Sequence, residues 1–66
     1  MKKKSTYPNL RDAINKKGLK LNFVAGAIGL HYKQLHLRMS GKTDFLLSEM
    51  RALSKLLEES MDYLFS

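Results

Sequence analysis

The chain has no cysteine among its 66 residues. That excludes disulfide staples, thiolate zinc sites and cysteine nucleophiles, and it fits a reducing cytoplasm. Tryptophan is also absent, and proline occurs once, at Pro8. With so few breakers, a helical pattern is interrupted only at its edges. No apolar run reaches the ~18 residues of a membrane span. The basic start Lys2-Lys3-Lys4 is followed by Ser-Thr-Tyr-Pro and not by the apolar core of a signal segment. A cytoplasmic protein with no membrane partner is therefore expected. The only histidines, His31 and His36, lie about 140° apart around a helix and do not converge on one metal. Ser48 and Ser54 have no histidine or carboxylate at a suggestive spacing. No phosphate loop, dinucleotide motif or carboxylate pair appears. These absences point away from an enzyme: no catalytic residue, metal or cofactor is expected.

Acidic residues are scarce, with six against twelve lysines and arginines, a net charge of +6. Their placement matters more than their number. Residues 1–42 hold ten basic side chains against Asp12 alone, +9. Residues 43–66 hold Arg51 and Lys55 against Asp44, Glu49, Glu58, Glu59 and Asp62, −3. A basic front with a mildly acidic back points to a polyanion met on one side. Chance clustering on a solvated surface is the blander reading of the same numbers.

A chain of this length is one domain. Residues 1–6 read as a flexible basic arm and residues 7–66 as the domain. The arm either lies on DNA phosphate or is a disordered basic tail. Pro8 suits a first helical turn. A first helix is expected over about 9–17, with Leu10, Ala13 and Ile14 at helical spacing and Gly18 as its left-handed cap. A second runs from Leu21 or Asn22 to Ile28, with Val24, Ala25 and Ile28 inward and Gly29 ending it. A third runs from Tyr32 to Met39, with Gly41 just beyond. After Thr43-Asp44-Phe45, a fourth runs from Leu47 to Leu57, with Leu47, Met50, Leu53, Ser54 and Leu57 inward. Ser60 caps a last turn, Met61 to Phe65. Sustained period-two alternation is missing, so the fold is all-α, a compact bundle of four to five short helices. Helices two and three, joined by so tight a glycine turn, must cross closely over small residues. That is the signature of a helix-turn-helix.

The third helix divides cleanly. With Leu35 taken as the inward reference, Met39 lies about 40° away and Arg38 about 60° to the other side. Lys33 and Leu37 lie about 160° and 200° away, flanked by His36 and Gln34. Lys33 can donate to guanine O6 or N7, or to a phosphate. Gln34 can pair with adenine, His36 can donate or accept, and Leu37 can pack on a thymine methyl. Tyr32 stands at the N-terminal end, where recognition helices touch bases.

Ala25 in the second helix, Gly29-Leu30 at the turn, Leu35, Met39-Ser40-Gly41-Lys42, Leu47-Ser48-Glu49-Met50 and Ser60-Met61-Asp62-Tyr63-Leu64-Phe65 follow one another in order. Together they resemble the phage repressor/Cro (XRE-type) family of helix-turn-helix proteins, over about residues 7–65. The resemblance implies a lambda-repressor-like fold and sequence-specific binding of double-stranded DNA, with no enzymatic activity. It implies base contacts from Tyr32, Lys33, His36 and Leu37, to which the chemistry above adds Gln34. It implies phosphate contacts from Leu21 and Asn22, and from Ser40, Lys42 and Thr43. Lys20 and His31, at the starts of helices two and three, complete that set with Arg38, whose head is expected free to reach a phosphate. Members usually bind as homodimers on two-fold symmetric operators, and repression by promoter occlusion follows.

The chain departs from the family at several points. Lys20-Leu21 stands where Ser/Thr-Gln usually opens the second helix, so Asn22 is the expected cap of a shorter one. Leu46 stands where Ser or Thr usually opens the fourth. Gly26 inside helix two costs about 1 kcal/mol against alanine, which close packing could offset. Leu21, Phe23, Leu37, Leu46 and Leu56 fall on outer surfaces. If Leu21, Phe23 and Leu37 join, they form a patch for a protein partner. Two rival readings follow: an interaction module on the same fold, contacting a polymerase subunit or a partner repressor, and an antitoxin-like DNA binder that masks a toxin. Tyr63, Leu64 and Phe65 either cover the core or form a dimer seam.

Overall fold

The structure is a computed structural model and describes residues 6–66. Five helices follow in order: α1 Pro8–Lys16, α2 Leu21–Ala27, α3 Tyr32–Met39, α4 Leu47–Leu57 and α5 Met61–Leu64. No strand occurs among the described residues, and no helix there is long and apolar enough to cross a membrane.

Each helix stops for a local reason. At the end of α2, Gly29 takes φ +83°, which lets its own N–H reach the Gly26 carbonyl while the Leu30 N–H reaches that of Ala25 at 2.8 Å. This paired closure satisfies two orphan carbonyls and reverses the chain within a few residues. The ends of α1 and α3 close in the same way. α4 ends with the Glu59 N–H on the Ser54 carbonyl, and there the left-handed position is held by Glu58 at φ +57°.

The core is a single cluster. Leu10, Ala13 and Ile14 of α1, Val24 and Ala25 of α2, Leu35 and Met39 of α3, Leu53 and Leu57 of α4 and Leu64 of α5 all turn inward. α1 packs on α5, α2 on α3, and α4 on both α5 and α2. Phe45, in the connection before α4, is buried too, and meets Tyr7 and Phe65 edge-on with ring centroids 5.5 and 5.2 Å away. The three rings pin the N-terminal entry, the α3–α4 link and the C-terminal end together, each pair adding about 0.5–1.5 kcal/mol beyond burial. The Asn9 amide closes the same end by donating to the Tyr63 carbonyl at 2.9 Å.

Several expectations are corrected. Leu47 is exposed, not inward, because it lies about 100° from the α4 core stripe of Leu53 and Leu57. Met50 and Ser54 reach only half-burial. Leu21 and Leu56, read as outer residues, are half-buried against the core. Asn22 does not cap a shorter helix: α2 begins at Leu21 with Lys20 as its N-cap. Gly26 has no close neighbour, so no packing there offsets its cost. Tyr63 is 39% exposed, Leu64 is core and Phe65 belongs to the aromatic trio.

Candidate nucleic-acid interface

The helix α3 is held at both ends and along one side. At its start, His31 occupies the N-cap position, but its ring does not cap; instead Gln34 Oε1 accepts the His31 backbone N–H at 3.0 Å. Leu35 and Met39 anchor the inner side. Arg38, flanking them, sends its Nε to Glu49 Oε1 at 2.8 Å. The Glu49 carboxylate is buried, and the same oxygen accepts the Leu46 backbone N–H at 2.9 Å. One carboxylate thus caps α4 and ties α3 to it. The charge is taken out of water, but two charge-assisted hydrogen bonds meet it.

This narrows one expectation: the Arg38 Nε is committed to Glu49, which leaves the terminal nitrogens of its head as the donors for a phosphate. Gln34 is likewise constrained. Its carbonyl oxygen already accepts the His31 N–H, so the two-bond pairing with adenine calls on that oxygen's second lone pair or on a turn of the amide. Glu49 was missed as a site-building residue because a glutamate in a charged segment reads as solvated. Its signal was positional, an acidic residue three after a helix start.

The other four base-side candidates come together. Tyr32, Lys33, His36 and Leu37 are exposed and surround one shallow hollow on the outward side of α3. The Tyr32 and His36 rings pack edge to face, centroids 6.1 Å apart. The hollow itself is lined almost wholly by the apolar parts of these four side chains, a surface suited to a methyl group, and three of the four carry a polar end that can meet a base edge.

The phosphate-side candidates lie in two groups along the chain. Lys20, Asn22 and His31 are exposed at the starts of α2 and α3, where backbone N–H groups lack helical partners. Leu21 is half-buried and offers only its backbone amide. Lys42 and Thr43 are exposed beyond α3, with both backbone amides turned to the Leu37 carbonyl. Only their side chains are therefore available to a phosphate. The Ser40 hydroxyl donates to the same carbonyl at 3.0 Å. Thr6, assigned by sequence to the arm, donates to the Ser40 carbonyl at 3.0 Å and lies against Gly41. The chain therefore enters the domain beside the end of α3. The arm lysines Lys2, Lys3 and Lys4 lie outside the described residues. Among those described, no cluster of metal-ligating side chains occurs.

The chain matches no family model, and no curated protein or solved structure is significantly similar to it.

Proposed function

We propose that this chain is a sequence-specific double-stranded DNA-binding transcriptional regulator. In this reading α2, the Gly29 turn and α3 form a helix-turn-helix of the phage repressor/Cro (XRE-like) kind. The observation that carries it is the division of α3: Leu35 and Met39 are buried, while Lys33 and Leu37 lie on the far side and share one exposed hollow with His36 beside them and Tyr32 at the N-terminal end. The helix enters the major groove with Lys33 on guanine O6 or N7, Tyr32 and His36 on neighbouring edges and Leu37 against a thymine methyl. Lys20, Asn22, Lys42 and Thr43 hold phosphates. The chain acts in the cytoplasm as a homodimer on a two-fold symmetric operator, with half-sites about 34 Å apart. It represses by occluding a promoter, with no cofactor and no catalytic step.

Selection from randomised duplex DNA tests this directly, because it reads out preference and half-site symmetry together. A symmetric consensus is expected, and recovery of no preferred sequence overturns the reading. Lys33→Ala should then weaken binding to the selected site by about 1–3 kcal/mol more than to random duplex. Equal losses on both would move Lys33 to the phosphate group.

A second reading has one observation behind it. Phe23 is 56% exposed and Leu37 41%, an apolar pair that fits a protein partner in an interaction module or an antitoxin-like role. Leu21 is half-buried against the core and adds less exposed surface than either. Absence of duplex binding even at low salt favours this alternative.

A further inference from the structure

The hollow on α3 faces outward from a basic helix, yet its wall is almost wholly apolar. Leu37 stands exposed in it, and the Tyr32 and His36 rings that share it meet edge to face. In the major groove of a duplex, a base pair offers one apolar group to such a wall, the methyl on C5 of thymine. Methylation of cytosine at C5 places the same group on the same ring carbon.

The surroundings of the hollow do not tell those two bases apart. Beside the methyl, thymine presents O4, an acceptor, whereas cytosine presents an N4–H₂ donor. A carboxylate would accept from N4 and so select cytosine. No aspartate or glutamate occurs between Asp12 and Asp44, and Glu49 already receives Arg38 and the Leu46 amide. The Tyr32 hydroxyl can donate or accept, and a neutral His36 imidazole does both. Lys33 only donates, but its flexible stem lets the ammonium turn to a guanine or a phosphate instead. The wall thus responds to the methyl, and its polar ends accommodate either base.

We propose that the hollow recognises the 5-methyl group of a pyrimidine and takes thymine and 5-methylcytosine alike, so that methylation of an operator cytosine strengthens binding. This rests on the DNA reading. It adds the group that is sensed, and it makes binding answer to a covalent change in the DNA. One methyl moved from water to an apolar wall changes affinity by about fourfold.

Two selections test this, one from random duplex of ordinary bases and one from duplex in which every cytosine is 5-methylcytosine. One position in each half-site should favour thymine in the first pool, and thymine or 5-methylcytosine in the second. Fluorescence anisotropy on the selected duplex then measures the methyl itself. With one half-site altered, uracil in place of that thymine should weaken binding about fourfold, and cytosine in place of 5-methylcytosine should weaken it by the same factor. Leu37→Ala should bring both factors close to one. Leu47→Ala, exposed on α4 and outside the hollow, should leave both unchanged. Neither leucine is part of the core, so both variants should keep a melting temperature near that of the wild type. A selected site in which no thymine responds to uracil overturns the inference. So does a cytosine at that position whose methylation adds nothing, or methyl factors that survive Leu37→Ala. A chain that selects no sequence from either pool loses the DNA reading and this inference with it. One that selects a sequence indifferent to methyl groups keeps the DNA reading and loses the inference alone.

Discussion

Gly26 and Glu58 stand in each other's natural places. Gly26 sits inside α2 with ordinary helical geometry and open space where a Cβ would be. An exposed helical glycine there costs about 1 kcal/mol relative to alanine. Glu58 holds a left-handed conformation at the end of α4, which costs a side-chain-bearing residue about 1–2 kcal/mol. Gly26→Ala and Glu58→Gly should each stabilise the fold by about 1 kcal/mol, raising the melting temperature by about 4–8 °C. The second change also removes the ion pair from Lys17 Nζ to Glu58, 3.0 Å long, but both partners are exposed enough for its loss to matter little. Thermal melts followed by circular dichroism check both; a fall in either melting temperature contradicts the account. The glycines that close α1, α2 and α3 were legible in the sequence because glycine is the ordinary residue for that turn. The end of α4 was placed by periodicity alone, since no glycine announces its left-handed cap.

The element α4 shows what binds the recognition candidate to the rest of the bundle. Glu49 receives Arg38 from α3 and the Leu46 amide from its own helix start. Glu49→Ala leaves a half-buried guanidinium and an uncapped amide, and should cost about 3 kcal/mol. Glu49→Gln keeps an acceptor for both donors and should cost less, about 1–2 kcal/mol. Urea denaturation of the two variants checks the order; equal losses would mean that the charge of Glu49 carries the contribution and the acceptor kept by glutamine adds nothing. Expected and observed bounds coincide for α3 and α4 and differ by a residue or so elsewhere, because apolar spacing and capping are local properties. The inward side of α3 was legible for the same reason. Leu47, Phe45 and Glu49 were not. Periodicity gives the centre of an apolar stripe but not its edge, so Leu47 was read inward. Phe45 lies in a link with no period, and its burial depends on Tyr7 and Phe65, which are distant in the chain. Glu49 is buried only because Arg38 is placed to meet it, and pairing across two helices has no one-dimensional signature.

At the scale of the molecule, charge is arranged along the chain rather than balanced. Of the excess of +9 in residues 1–42, three charges belong to Lys2, Lys3 and Lys4 and the rest lie on α1, α3 and the links beside them, while α2 carries none; the −3 of residues 43–66 comes from Asp44, Glu58 and Glu59 in the links and Asp62 in α5, against a net +1 on α4. On the DNA reading, a monomer that neutralises about 4–6 phosphates releases as many counterions, and log K falls against log salt with a slope of about −4 to −5. Between 50 and 200 mM salt the affinity of one chain for duplex should therefore fall by roughly two to three orders of magnitude. Lys42→Ala, beyond the end of α3, should make that slope shallower by about 1 while leaving the ranking of sequences unchanged, which is the mark of a phosphate contact. Lys33→Ala should instead change the ranking. A gel-shift series across that salt range, run on the selected site and on random duplex, separates the two lysines. A wild-type slope near zero would leave the charge asymmetry without a polyanion to account for it. In that case the exposed Phe23 and Leu37 become the better guide to what this surface meets.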